Sequence, residues 1–238
     1  MTKGLSGRDN MRYMSDRLAG KRILITSADT FMGPDITQFF RTEGADVIAD
    51  ESPLLGADDA SALIERCGHL DAVVANFEYP AYKAKTVDIE DSEWHAGFDH
   101  MVHPLMRIVR SVAPQMIARR SGSIVVTGSS SPLRRMSPQT VAYVTARAAQ
   151  LAFVRSAGHD LARHNVRLNA IAQNYVANPA YYPPETLANP KFQERLPLEV
   201  PAGRIGKPEE SGELALFLAS ESSSFIFGQV VSHDGGWS

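Results

Sequence analysis

Tyr143 and Arg147 lie four residues apart in Tyr143-Val-Thr-Ala-Arg147, inside an Ala- and Leu-rich run that reads as helix. Residues at that separation share one helix face, so a phenol and a guanidinium can reach the same pocket. A fixed positive charge beside a phenol favours the phenolate, and a phenolate can take a proton from a hydroxyl. Arginine suits that role because it stays charged at any working pH. A hydroxyl to orient the reacting oxygen is available upstream in Ser129-Ser130-Ser131, at the end of an apolar run. This is general acid–base chemistry at oxygen, and no metal is expected. The seven histidines show no ligand spacing with acids, and His95, His100 and His103 read as helix-surface or packing residues.

Those side chains need elements to hold them. Arg22 to Thr26, RILIT, is a β-branched run after the turn signal Ala19-Gly20. The loop SADTFMG follows, then a helix from Pro34, which suits a first turn, to Gly44, which suits a stop. ADVIAD is the second strand, and strand–helix–strand at this spacing implies a parallel sheet. The alternation continues: a short helix over 57–67, the strand LDAVVAN (70–76), and a helical region over 92–118 interrupted by Pro104 and Pro114. Then come the strand SGSIVVTGS (121–129), a long helix over 140–162 and the strand VRLNAIA (166–172). A Pro-rich stretch over 178–208, a helix over 209–219 and a last strand over 228–233 complete the run. Six strands are clear, seven if a short segment splits. The expected fold is an α/β, single-domain, doubly wound (Rossmann-like) parallel sheet of about seven strands flanked by helices. It covers residues 19–238, and residues 1–18 read as a flexible or partner-docked extension.

Composition narrows the function classes. With 44% apolar and 21% charged residues the 238-residue chain is ordinary for a globular domain with a large core. A formal net charge of -3 gives no sign of a nucleic-acid partner. No apolar run approaches the ~20 residues of a membrane span. The first residues show no apolar leader segment either, and the single cysteine, Cys67, cannot form an intrachain disulfide, so a cytoplasmic location is expected.

Over residues 20–237 the sequence resembles the short-chain dehydrogenase/reductase superfamily. LDAVVAN, the Ser130–Tyr143 spacing, the NAI strand, RIGKPEE and GQVVSHDGG match in order. Four departures point to one branch of it. The glycine-rich turn that lets a dinucleotide pyrophosphate approach backbone reads Thr26-Ser-Ala-Asp-Thr-Phe31-Met-Gly33, with one glycine, an added carboxylate at Asp29 and an added ring at Phe31. Arg147 replaces the superfamily's lysine. Counting from Trp94, Met101 occupies the position of a relay asparagine, so the polar relay to residue 147 is expected to be missing. Gln173-Asn174 replaces the Pro-Gly beside the nicotinamide. The turn T-x4-F-x-G, Tyr-x3-Arg and QNYV with YYPPE are similar to the halohydrin dehalogenases, particularly their B-type branch.

That resemblance implies a cofactor-free lyase that interconverts vicinal haloalcohols and epoxides, with no nucleotide and no metal. It implies Tyr143 as base, Arg147 as its charge partner and Ser130, chosen on family spacing with Ser129 as fallback, as donor to the substrate oxygen. Phe31, Gln173, Asn174, Tyr175, Val176, Tyr181 and Tyr182 are expected to form the halide and substrate pocket, with amides of 173–176 as donors suited to a soft anion. The implied partners are a small haloalcohol or epoxide and a halide or other small anion, and the implied assembly is a homotetramer. Asn76 is expected only to satisfy backbone at a strand end, and Arg134-Arg135 to be solvated. Trp237 is expected near a subunit interface. Two other readings remain: a dehydrogenase/reductase with a degenerate motif, in which Asp50 would take a ribose hydroxyl, and a non-catalytic binding protein on the same fold.

Overall fold

The computed structural model describes residues 16–134 and 139–238. Six parallel strands form one sheet: β1 (Arg22–Ile25), β2 (Asp46–Ala49), β3 (Ala72–Asn76), β4 (Gly122–Ser129), β5 (Val166–Gln173) and β6 (Val230–His233), in the order β2-β1-β3-β4-β5-β6. The register runs Ile25↔Val74 between β1 and β3 and Ser129↔Gln173 between β4 and β5. The helices are α1 (Gly33–Thr42), α2 (Asp59–Cys67), α3 (Asp91–Met101), α4 (His103–Arg119), α5 (Val141–Ala162), α6 (Pro184–Leu187), α7 (Pro190–Glu199) and α8 (Pro208–Ala219).

Successive strand residues point to opposite faces, and the β-branched runs use both. Leu24, Val73, Ile124 and Leu168 face one layer, packed with Leu63 of α2, Ile108 and Val112 of α4, and Leu151 and Val154 of α5. Ile23, Ile25, Val74 and Val125 face the other, packed with Ile36 and Phe40 of α1 and Leu216 of α8. Both faces are therefore covered, as a parallel sheet requires.

The strand count is six among the described residues, against about seven expected. The doubly wound order 3-2-1-4-5-6 has one more strand outside β2. Here Asp50–Asp58, DESPLLGAD, lacks the β-branched content of a strand and contains Pro53 and Gly56. It turns inward, and Leu54, at φ 52, is 1% exposed in the core.

Pro104 does interrupt the 92–118 helical region, because it lies in the first turn of α4. Pro114 does not; it sits exposed within α4. The Pro-rich stretch contains α6 and α7, each with proline in its first turn. The expected extension ends earlier than residue 18: Leu18 is 1% exposed, and Arg17 pairs with Glu43 and Glu213. Residues 1–15 lie outside the described residues.

Candidate active site

α5 carries Tyr143 and Arg147 on one face, one turn apart, as the spacing requires. Arg147 Nε donates to the Tyr143 phenol oxygen at 3.1 Å. Arg147 is fully buried. Its Nη1 donates to Phe77 O at 2.9 Å and to Gln150 Oε1 at 3.0 Å, and its Nη2 reaches the Tyr181 oxygen at 3.5 Å. Burial opposes the guanidinium charge, but the Tyr143 and Tyr181 oxygens outweigh it, so Arg147 holds its proton more firmly than usual. The polar relay expected to be missing at Met101 is rebuilt. Gln150 accepts from Arg147 and donates through Nε2 to the Met101 carbonyl at 2.9 Å, so the backbone of that position does what a side chain was expected to do.

The three serines part company at the end of β4. Ser130 is 0% exposed, and its Oγ donates to Ala172 O at 2.6 Å, stapling the strand end to β5. Ser129 is the last strand residue, and it lines the cleft with Tyr143. Its Oγ donates to Ser131 Oγ at 3.0 Å and accepts from Ser131 N at 3.1 Å. A short 3-10 turn over Ser131–Leu133 starts directly after Ser130 and turns that side chain inward, which a residue count cannot register.

In doubly wound sheets a dinucleotide binds at the carboxyl ends of the strands where the order reverses, between β1 and β3 here. That crevice is crossed by the chain's own side chains. Thr30 Oγ1 donates to Glu78 Oε1 at 3.3 Å, and Asn76 Nδ2 donates to both Ser27 O and Thr30 O at 2.9 Å. Asn76 Oδ1 accepts from Thr127, so Asn76 is a backbone clamp, as expected. Gly33 is required in the turn, because a Cβ there would lie 2.3 Å from Ser27 O. Phe31 sits at φ 53, a left-handed conformation that costs a branched or bulky residue roughly 1–2 kcal/mol. Its ring is 3% exposed, meets Tyr181 edge-on at 5.6 Å and lies under the Arg147 guanidinium at 5.4 Å. Asp29 is exposed, and the Asp50 carboxylate is engaged by Ser52 at 2.6 Å. Thr30, Glu78 and Phe31 thus stand at the strand ends where a nicotinamide dinucleotide would approach, beside the exposed Asp29 carboxylate.

A cleft of about 100 Å³, open at its mouth, is lined by Tyr143 and Ser129 and by all seven residues expected in the pocket: Phe31, Gln173, Asn174, Tyr175, Val176, Tyr181 and Tyr182. Ala81, Gly128 and Asn178 complete its lining. The amides of 173–176 are mostly committed elsewhere. Asn174 N donates to His233 O, and Tyr175 N donates to Asn174 Oδ1 at 2.9 Å. The Gln173 backbone lies in β5, and its side chain accepts from Ser211. The Val176 amide carries no hydrogen bond among the described residues. Tyr175 is also left-handed, at φ 52. Burial pushes Tyr175 up to about 12, helped by its bond to Glu199. Burial likewise raises Tyr181, against the pull of Arg147, and Tyr182. These three phenols are therefore neutral hydrogen-bonding walls, and Tyr143 is the cleft phenol bonded to the guanidinium Nε.

Trp237, expected near a subunit interface, is largely covered by its own chain. It is 8% exposed, packs on Tyr175 at 6.2 Å and is covered by Arg134 at 5.2 Å. Arg134 is exposed, as expected, while its guanidinium lies over that ring and donates to Trp237 O; Arg135 lies outside the described residues. His100 stacks on Tyr79 at 4.9 Å, and no metal-holding cluster of His, Cys, Asp or Glu occurs among the described residues. Cys67 is buried, and burial raises its thiol. Glu78 and Gln150 escaped the sequence reading. Gln150 is three residues beyond Arg147 on the same helix face, a spacing that could have marked it. Glu78 stands at a strand end with no motif to mark it.

Residues 56–238 match the family model described as enoyl-(acyl carrier protein) reductase. The chain belongs to the short-chain dehydrogenase/reductase superfamily. It is 31% identical to the 3-oxoacyl-acyl-carrier-protein reductase of Thermotoga maritima over 92% of this chain and 98% of that protein. It is 30% identical to the oxidoreductase UcpA of Escherichia coli K12 over 92% of this chain and 95% of that protein. Among solved structures it is similar to a dehalogenation enzyme, at 34% identity and TM-score 0.85, covering 93% of this chain and 99% of that one. A halohydrin dehalogenase bound to ethyl (2S)-oxiran-2-ylacetate shares the fold at 24% identity and TM-score 0.81, over 90% and 96% of the two chains. No helix among the described residues is long and apolar enough to cross a membrane.

Proposed function

We propose that this superfamily member is a halohydrin dehalogenase working without a nucleotide. The observation that carries this reading is a phenol–guanidinium pair opening onto a cleft whose neighbouring cofactor crevice is bridged by Glu78. Tyr143, as phenolate, takes the hydroxyl proton of a vicinal haloalcohol. The resulting alkoxide attacks the adjacent carbon; a C–O bond forms, the carbon–halogen bond breaks, and halide leaves. Arg147 stabilises the phenolate and is held in place by Phe77 O and Gln150. Ser129, which lines the cleft, is our choice over the wholly buried Ser130 as donor to the substrate oxygen, its hydroxyl turning from Ser131 Oγ to the substrate. Departing halide lies against the Val176 amide and the Phe31, Tyr181 and Tyr182 rings. Run backward, the same groups open an epoxide with halide or another small anion, with Tyr143 as acid. The likeness to the dehalogenation enzyme supports this reading.

A nicotinamide-dependent reductase is the second reading, favoured by the 31% identity to the Thermotoga maritima reductase. One experiment separates them. Halide release from a simple bromo- or chloroalcohol with no added nucleotide is expected, together with no thermal shift from NAD, NADH, NADP or NADPH. Nucleotide binding together with reduction of a 3-oxoacyl thioester would replace the first reading with the second. We further propose a homotetramer in the cytoplasm; Phe225, 96% exposed, is an apolar ring that such an assembly can cover.

A further inference from the structure

Arg147 is a buried cation, and no ion pair among the described residues includes it. A buried charge without a counter-charge is costly. The carboxylate its hydrogen-bond network reaches is Glu78. Arg147 Nη2 meets the Tyr181 oxygen at 3.5 Å, and the Tyr181 hydroxyl donates to Glu78 Oε2 at 3.3 Å, shared with Tyr79 O at 2.8 Å. The other Glu78 oxygen is fixed by Thr30 at 3.3 Å. Two side chains thus hold this carboxylate, Thr30 from the β1 turn and Tyr181 from the segment after β5, with Arg147 of α5 behind that phenol. Glu78 itself is half-buried, so it retains contact with water.

Resting on the dehalogenase reading, we propose that Glu78 and Tyr181 form the proton outlet of the site, joining Tyr143 to solvent. Ring closure leaves the substrate proton on Tyr143, which must lose it before the next turnover. Arg147 cannot take it, being already protonated. Tyr143 is 8% exposed, and its open side is the cleft occupied by product. Nε and Nη2 of Arg147 form one edge of the guanidinium and hold the Tyr143 and Tyr181 oxygens side by side. In one concerted shift the Tyr143 O–H proton passes to the Tyr181 oxygen while the Tyr181 proton passes to Glu78 Oε2. Tyr143 is a phenolate again, Tyr181 remains neutral, and Glu78 is a carboxylic acid that discharges to water. Epoxide opening runs the same shift inward.

The test uses the full chain, with Glu78→Gln and Tyr181→Phe beside the parent, each checked for fold by circular dichroism. Tyr181→Phe keeps the ring that packs on Phe31 and removes only the hydroxyl, so it remains informative if Glu78→Gln folds poorly. At near-neutral pH and low buffer concentration, kcat for halide release is expected to fall at least about tenfold in both variants, with KM changed by no more than about twofold. Added imidazole, a small mobile proton carrier, is expected to restore much of the variants' rate and to leave the parent unchanged. Parent-like kcat in both variants, a change confined to KM, or a loss that imidazole does not relieve would overturn the outlet while leaving the dehalogenase reading standing. A parent that releases no halide from any haloalcohol would remove both.

Discussion

The Arg147 Nε–H points at the Tyr143 phenol oxygen from 3.1 Å, and the guanidinium carbon lies 5.2 Å from the centre of the same ring. One cation therefore contacts both the edge oxygen and the π-face of one phenol, which fixes the ring and stabilises negative charge on its oxygen. The first expectation follows. Tyr143→Phe should lower halide release by about 10²–10⁴-fold with the fold retained. Arg147→Lys should also lose most activity, because a single ammonium cannot serve the Tyr143, Phe77, Gln150 and Tyr181 oxygens together. The double variant should be little worse than the poorer single one, since both residues serve one step. Steady-state kinetics with circular dichroism checks each; more than a tenth of parental activity in Tyr143→Phe would assign the base elsewhere.

Ser129 and Ser130 should separate function from stability. Ser129→Ala is expected to lower kcat with a melting temperature close to that of the parent. Ser130→Ala removes the donor to a buried carbonyl, Ala172 O, and should destabilise by roughly 1–3 kcal/mol with smaller effects on kcat. Thermal melts and halide-release rates on the pair decide the assignment, and the reverse pattern would restore Ser130 as the substrate donor.

The Thr30–Glu78 bridge should keep nucleotides out even without the Phe31 ring. Phe31→Gly relieves the left-handed strain at φ 53 but empties a ring from beneath Arg147. The variant should still show no thermal shift with any nicotinamide nucleotide, because the Thr30–Glu78 bridge remains. Loss of halide release through a raised KM is expected, as a wall of the pocket is gone. Tight nucleotide binding by the variant would mean that Phe31 alone bars the crevice.

The Glu43 carboxyl is held below its ordinary range by the side-chain bond from Arg17, with burial opposing. A carboxylate with a depressed folded value contributes stability above the ordinary carboxylate range, about pH 4, and loses it as pH falls below that range. Glu43→Gln should therefore lower stability at neutral pH by up to about 1 kcal/mol, the Arg17 side being part-exposed. The gap between variant and parent should close as the pH falls below about 4. A gap of constant size across that range would mean the Arg17–Glu43 charge pair contributes nothing.

Trp237→Ala should uncover one side of Tyr175 and cost roughly 3–5 kcal/mol, as for other buried aromatic truncations. Because Tyr175 and Val176 line the cleft, KM for haloalcohol should rise with the loss of stability. Urea melts and steady-state kinetics on the one variant check both parts, and an unchanged melting curve would place Trp237 outside the supporting shell.

The local sequence determined the alternation of strands and helices, because β-branched runs, Pro at helix starts and Gly at stops act over a few residues. It likewise determined that Tyr143 and Arg147 share a face, since helical period is a property of neighbours along the chain. The seven pocket residues were legible because a resemblance named their segments. What only the tertiary structure decided is everything that depends on strands meeting across the sheet. Ser129 and Ser130 are adjacent in sequence, yet the β4–β5 register and the following 3-10 turn send one to the cleft and the other to Ala172 O. Gln150 became the relay because the Met101 carbonyl arrives from another helix. Glu78 gained its place because β1 and β3 are neighbours although 47 residues separate Ile25 from Ala72, and Tyr181 arrives from still further along the chain. The sheet edge beyond β2 belongs to the same class: among the described residues, 50–58 form no strand, and Leu54 is buried in the core.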